Sequence, residues 1–181
     1  VIAGEKSKRT GIVLAKSIPA KKMGIKTGDA IFMAKNKCPF VKVYPPNYKF
    51  YNEMSNKMFD YLYSLTPDIE VASIDECYID YTKVKKLYGD ELDFAKRIKK
   101  DIKEKFGFTV NVGIGNNKLT AKMASDFEKP DKIHTLYDYE VESKMYSLPI
   151  SDLFGIGKKT TEKLQEMGVK LIKDLANYDY N

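Results

Sequence analysis

Apolar residues recur every three or four positions in two long stretches of this chain, and that spacing predicts two amphipathic helices. The first opens after Asn47, a residue suited to capping, and reaches about Leu65. Its stripe is Tyr48, Tyr51, Met54, Met58, Phe59, Leu62 and Leu65, expected to pack in a core. The second runs from Asp90 to Phe106, with Phe94, Ile98, Ile102 and Phe106 inward and lysines on a solvated face. Shorter apolar runs read as strands: 8–15, Val41 to Tyr44 before Pro45-Pro46, Phe108 to Ile114, and Ile133 to Tyr137. Short helical pieces are expected over Pro19 to Met23 and Asp29 to Asn36, split by Gly24 and Gly28, and over Lys118 to Asp126. From Asp138 onward the pattern is helical, with turn signals at Pro149, Gly155, Gly157 and Gly168, which suggests a separate small module. The order from 47 to 137 is helix, two strands, helix, strand, helix, strand. That order predicts an α+β layer with helices on one face of an antiparallel sheet.

Between the long helices lies Ser73-Ile74-Asp75-Glu76-Cys77-Tyr78-Ile79-Asp80. Strand-forming residues flank the two acids, Ile69 to Ile74 before and Cys77 to Tyr81 after, so Asp75 and Glu76 fall where one strand turns into the next. Neighbours in a straight strand point to opposite faces. Both carboxylates serve one site only if the turn, or the longer arm of Glu76, re-aims them. Such a pair suits a divalent ion that keeps room for waters and a substrate phosphate. The alternative is two solvated acids at a hairpin tip.

Charge adds a direction. With 31 basic against 25 acidic side chains the net charge is +6, which favours a polyanionic partner. Cys38 and Cys77 lie in different segments and have no zinc spacing, as expected of reduced thiols in a cytoplasmic protein. The single histidine, His134, cannot supply a His-ligated metal site and is expected to be structural. No apolar run approaches the ~18 residues of a membrane span. The N-terminus lacks the charged region and apolar core of a signal peptide. With no Met at position 1, the chain reads as starting partway through a larger protein.

Three glycine and lysine patterns remain. Gly113-Ile114-Gly115-Asn116-Asn117-Lys118 has neither the third glycine of a dinucleotide fingerprint nor a P-loop ending, and reads as a strand-to-helix turn. Lys129 precedes Pro130, on an extended segment from which its arm can reach a phosphate. Phe154-Gly155-Ile156-Gly157-Lys158-Lys159 opens a helix to Met167 and matches the hairpin of a helix–hairpin–helix element. Its glycines and helix-start amides suit a phosphate, and Lys158, Lys159 and Lys163 add charge, so it would hold nucleic acid without reading bases. An ordinary helical corner is the alternative.

Taken together, these pieces resemble the Y-family (translesion) DNA polymerases, in the UmuC-like or ImpB/MucB/SamB branch. The likeness is carried in order by Ala20-Lys21-Lys22-Met23-Gly24-Ile25-Lys26-Thr27-Gly28-Asp29, by Asn47-Tyr48 through Tyr51 with Met54-Ser55-Asn56, and by Ser73-Ile74-Asp75-Glu76. It continues through Lys122, Ala124-Ser125-Asp126 and Lys129-Pro130 to Gly155-Ile156-Gly157 with Lys163-Leu164 and Met167-Gly168. The resemblance implies fingers over 1–46, palm over 47–136 and thumb over 137–181. It implies template-directed addition of dNTPs to a primer 3′ end, with two Mg2+ ions as cofactor. Asp75 and Glu76 would be the metal-binding and catalytic acids, and Lys21 and Lys129 would bind the triphosphate. Gly155, Gly157, Lys158 and Lys159 would bind DNA, directly or through a monovalent cation.

The chain also departs from the family pattern. Many members carry a tyrosine three residues before an arginine where this chain has Ile18 and Lys21, which keeps the charge and gives up bidentate phosphate binding. Thr161 replaces a small residue. The family's first metal motif and steric-gate aromatic belong before the point where Val1 aligns, and its little finger belongs beyond the thumb. The expectation is therefore a piece that does not extend a primer by itself, with an unpaired edge or exposed apolar face near Val110 and Val112. A sliding clamp would be recruited through a C-terminal region outside the chain. The rivals are a catalytically silent DNA-binding repair accessory and another palm-like nucleotidyl enzyme such as a cyclase.

Overall fold

The computed structural model describes residues 1–4 and 11–179 of the chain, in two compact units, Val1–Met54 and Ser55–Asn181.

In the first unit, β1 (Ile2–Gly4) pairs antiparallel with β2 (Val13–Lys16) and parallel with β3 (Val43–Tyr44). Part of the strand expected at 8–15, residues 8–10, lies outside the described residues. Ser17 caps α1 (Ile18–Lys22), its Oγ accepting from the Ala20 amide at 3.4 Å, and Pro19 sits in the first turn, where no amide is needed. With α2 (Ile31–Lys37) these strands bury Ile2, Val13, Ile25 and Ala34. Asp29 clasps the loop before α2. Its carboxylate accepts from Lys37 Nζ at 2.6 Å and from the Lys26 amide at 2.8 Å, and these bonds, Lys37 first, hold it below the usual carboxylate range.

Helix α3 (Tyr48–Leu65) starts where Asn47 Oδ1 accepts from the Phe50 amide at 3.1 Å. Of its apolar stripe only the C-terminal half is core: Met58, Phe59, Leu62 and Leu65 are buried together with Tyr61, whereas Tyr48 and Tyr51 are exposed. In the second unit that half packs against α5 (Glu91–Phe106), burying Phe94, Ile98 and Ile102. Each such side chain contributes ~1.5–3 kcal/mol. Asp90 stops the chain from fraying there, its Oδ1 accepting from the Leu92 and Asp93 amides at 2.8 and 3.2 Å. The short α4 (Lys85–Tyr88) leads into it.

Two small sheets complete the layer. β4 (Ile69–Val71) and β5 (Cys77–Ile79) form an antiparallel hairpin in which Ile69, Cys77 and Ile79 face the helices. β6 (Val112–Gly115) and β7 (Ile133–Leu136) pair parallel. Between residues 47 and 137 the expected antiparallel pairing is found, among the described residues, in β4–β5 and not in β6–β7. The reason is the intervening α6 (Lys118–Asp126), a crossover that returns the chain in the same direction. β6 begins at Val112, later than expected; Phe108 and Val110 lie before it, outside the strand, and pack on the α3–α5 core. Each strand of β6–β7 has one neighbour, so an edge of β6 is unpaired among the described residues. Val110 and Val112 are nonetheless half-buried, so no exposed apolar face forms there.

The Gly-x-Gly run is more than a turn. A Cβ at Gly113 would lie 1.9 Å from the Ala121 carbonyl oxygen, and one at Gly115 would lie 2.3 Å from Thr120 Oγ1. Bare backbone is what lets α6 lie directly on β6. Asn117 and Thr120 cap α6 reciprocally: Asn117 Oδ1 accepts from the Thr120 amide at 2.9 Å and Thr120 Oγ1 from the Asn117 amide at 3.2 Å.

Beyond β7, helices α7 (Val141–Lys144), α8 (Lys158–Glu166) and α9 (Ile172–Ala176) follow. Met145 and Ile172 join Met123, Ala124 and Leu136 in a second core. The result is α+β. No helix among the described residues is long and apolar enough to cross a membrane. His134 is half-buried, with its ring edge-on to Phe127 and its Nε2 4.0 Å from Glu128 Oε2.

Candidate functional site

The β4–β5 turn sets Asp75 and Glu76. Ala72 and Ser73 donate their amides to the Glu76 carbonyl at 2.9 and 3.1 Å, which closes a turn over 72–76 and breaks strand alternation. Ser73 Oγ donates to Asp75 Oδ1 at 2.8 Å, and Ser55 Oγ, on α3, donates to the Ile74 carbonyl from the side. Both acids are exposed. A cleft of about 320 Å³ on the outer face of the hairpin is lined by Asp68, Glu70, Tyr78, Asp80 and Lys118, with Lys118 paired to Glu70. Asp75 and Glu76 are not among those residues and lie on open surface instead.

Helix α6 brings basic charge to the turn. Lys122 Nζ is 2.5 Å from Glu76 Oε1 and 3.4 Å from Asp126 Oδ2, and Lys129 Nζ is 2.6 Å from Asp126 Oδ1. Burial alone would lower the pKa of Lys122, but the Glu76 hydrogen bond and the Asp126 charge outweigh it and raise it above the ordinary lysine range. For Asp126, burial pushes upward and is overcome by the hydrogen bond from Lys129 and the charge of Lys122, leaving the carboxyl lowered. Of the expected site residues, the structure therefore gathers Glu76 and Lys129 into one ion-pair chain, with Asp75 next to Glu76 at the turn. Lys21 lies in the first unit, exposed in the last turn of α1.

The expected helix–hairpin–helix lies between the short turn at Ile150–Asp152 and α8. Gly155 has φ +92°, a left-handed conformation that a side chain disfavours, and Gly157 is the residue before the first turn of α8. Nothing lies within 4 Å of a Cβ built at either glycine, so that backbone is open to solvent. Lys158 and Lys159 are exposed at the start of the helix. Thr161, the departure from a small residue, returns its hydroxyl to the Gly157 carbonyl at 3.1 Å.

Two hard, exposed carboxylates match the way Mg2+ is usually held, by one or two acids with waters and phosphate oxygens completing the shell. No group of three or more acidic, His or Cys side chains that could hold a metal gathers among the described residues. The donor chemistry fits a magnesium ion shared with a substrate. The sequence places Ser55 and Lys122 in family-like stretches but does not show the Ser55–Ile74 contact or the Lys122–Glu76 contact, which joins residues 46 apart. The available signal was Lys122 and Asp126 one helical turn apart, followed by Lys129.

The described residues thus combine an α+β layer, a hairpin tipped by two acids and a glycine hairpin before a basic helix. Comparisons with known proteins carry this further. The impB/mucB/samB family matches residues 1–126, and the IMS family HHH motif matches residues 139–169. The chain belongs to the impB/mucB/samB family. DNA polymerase IV of Clostridium acetobutylicum is 50% identical over 100% of this chain and 46% of its own length. The protein of the same name from Alkaliphilus oremlandii is 40% identical over 97% of this chain and 44% of its own. Among solved structures, DinB from Sulfolobus solfataricus superposes with a TM-score of 0.88 at 32% identity, covering 99% of this chain and 53% of that one. The insertion ternary complex of Dbh DNA polymerase gives 0.89 at 32% identity, covering 99% and 54%. The chain thus spans about half the length of the relatives it matches.

Proposed function

We propose that this chain carries the catalytic region of a template-directed DNA polymerase of the translesion, DNA-repair type, acting in the cytoplasm. One observation carries the reading. The adjacent acids of a Ser-Ile-Asp-Glu turn stand exposed at a hairpin tip, with the lysine-bearing helix α6 packed beside them. In this reading 1–46 are fingers, 47–136 palm and 137–181 thumb. The names of the relatives support a polymerase over a silent DNA-binding accessory or a cyclase.

The primer 3′-oxygen attacks the α-phosphorus of a dNTP, a new phosphodiester bond forms, and pyrophosphate leaves. Asp75 and Glu76 would hold Mg2+, which when bound would activate the 3′-hydroxyl and neutralise charge on the phosphates. Lys129 places a point charge beside that site, and Lys21 offers a second to the triphosphate from the fingers. The amides at Gly155 and Gly157, with Lys158 and Lys159, take a DNA backbone phosphate, directly or through a monovalent cation. Such a grip ignores sequence, as a polymerase requires.

The test is primer extension by this chain completed with the flanking segments of the Clostridium acetobutylicum relative. Asp75→Asn should lower extension at least about a hundredfold while leaving primer–template binding largely intact. Equal loss of both would remove the role assigned to Asp75.

A further inference from the structure

Resting on the reading above, we propose that Lys122 is a positioning residue that couples the metal-binding glutamate to the phosphate-facing lysine. The side chains of Glu76, Asp126 and Lys129 are 46%, 41% and 57% exposed, but that of Lys122 is only 12% exposed. Lys122 is therefore the anchored member, and the others are exposed arms that it orients. Its anchoring has visible causes. Lys122 adjoins Met123 and Ala124, both buried, on a helix that the bare backbone of Gly113 lets lie against β6. The Phe154 ring lies 5.7 Å from the ammonium, and the Phe154 amide donates to Met123 Sδ at 3.3 Å, which pins that ring's backbone to α6.

An ammonium has three donors and no acceptor, so one lysine can serve two carboxylates. Here the linkage runs Glu76–Lys122–Asp126–Lys129, and its two acids and two bases cancel. With a divalent cation held at Glu76, Lys122 would turn from Glu76 towards Asp126. Asp126 would then hold Lys129 less strongly and leave that ammonium free for a triphosphate. Loading of the acid pair and delivery of the phosphate-binding lysine are by this route one event.

The experiment is Mn2+ titration of the 181-residue chain, with lysine-selective NMR of the Lys129 ammonium on adding Mg2+. Lys122→Met removes a competing positive charge and should tighten Mn2+ binding about three- to tenfold. In the same variant the Lys129 resonance should stop responding to Mg2+. Asp126→Asn leaves Lys122 wholly with Glu76 and should shift Mn2+ affinity the other way, weakening it several-fold. A lysine that only stabilised the fold would loosen binding when replaced, so unchanged or weaker binding in Lys122→Met overturns the positioning role. Should that variant fail to fold, unchanged affinity in Asp126→Asn overturns it equally. Absence of any saturable Mn2+ binding sensitive to Asp75→Asn in the unsubstituted chain would overturn the functional reading as well.

Discussion

Replacing Gly113 by Ala adds a single methyl group, yet the structure leaves it no room. The new Cβ would stand 1.9 Å from the Ala121 carbonyl oxygen and 2.4 Å from the Ser125 amide nitrogen, both backbone atoms of α6. Ordinary contact begins at 3.4 Å, so α6 must retreat by about 1.5 Å. Overpacking by a methylene costs ~1–3 kcal/mol where side chains can yield. Two backbone atoms of a capped helix cannot, so about 3 kcal/mol or more is expected. The backbone entropy recovered by replacing glycine, ~0.5–1 kcal/mol, does not offset it. The same retreat would carry Lys122 away from Glu76, now 2.5 Å apart. Urea unfolding of the two chains, analysed for midpoint and slope, reads the loss directly. Gly155→Ala is the control. There the space is open and only the left-handed φ of +92° resists, so the loss should be ~1–2 kcal/mol. A Gly113→Ala chain within about 0.5 kcal/mol of the original would refute the close approach of α6 to β6.

Other consequences are open to measurement. Asp90→Ala removes the acceptor for the Leu92 and Asp93 amides and should cost ~0.5–2 kcal/mol in the same unfolding assay, recovered in part by Asp90→Ser. Burial, and then the hydrogen bond that Tyr137 Oη donates to Glu91 at 3.0 Å, pushes the Tyr137 hydroxyl up to about 12 from 10.0. Because the folded state favours the neutral phenol, that stabilisation is whole below pH 10 and fades as pH rises through about 12. The stability gap between the chain and Tyr137→Phe should therefore be flat at neutral pH and close on the alkaline side. Charge reversal at Lys158 and Lys159 should weaken duplex DNA binding without altering sequence preference, and flatten the log–log salt slope by ~0.9 for each phosphate that is no longer neutralised.

Much of the fold was legible because its signals are local. Asn47 marks a helix start by an acceptor that can reach an amide three residues on, and it does so; the structure shows Asp90 and Asn117 capping their helices in the same way. The limits expected for α6, Lys118 to Asp126, are those found. The exposed half of α3 did not show, because a helical period says which face is apolar and not how far along it a partner extends. The parallel β6–β7 pairing was likewise hidden, since alternation within a strand is the same for either direction. Gly113 and Gly115 could be read as permissive, but only the helix lying on them shows that bare backbone is required. At the site, the acid pair was visible as composition at a turn. The Ser55 clasp and the Lys122–Glu76 pair join segments 19 and 46 residues apart, and no local rule reaches that far.

The central claim, that the acids of the β4–β5 turn grip a divalent cation, is tested most directly by mapping where a metal sits. Fe2+ with ascorbate generates short-lived radicals that cut the backbone next to the bound ion, and sequencing the fragments locates it. Cleavage focused within residues 73–77, suppressed by excess Mg2+ and lost in Asp75→Asn, is the expected result. Cuts scattered along the chain, or focused elsewhere and indifferent to Asp75→Asn, would contradict it.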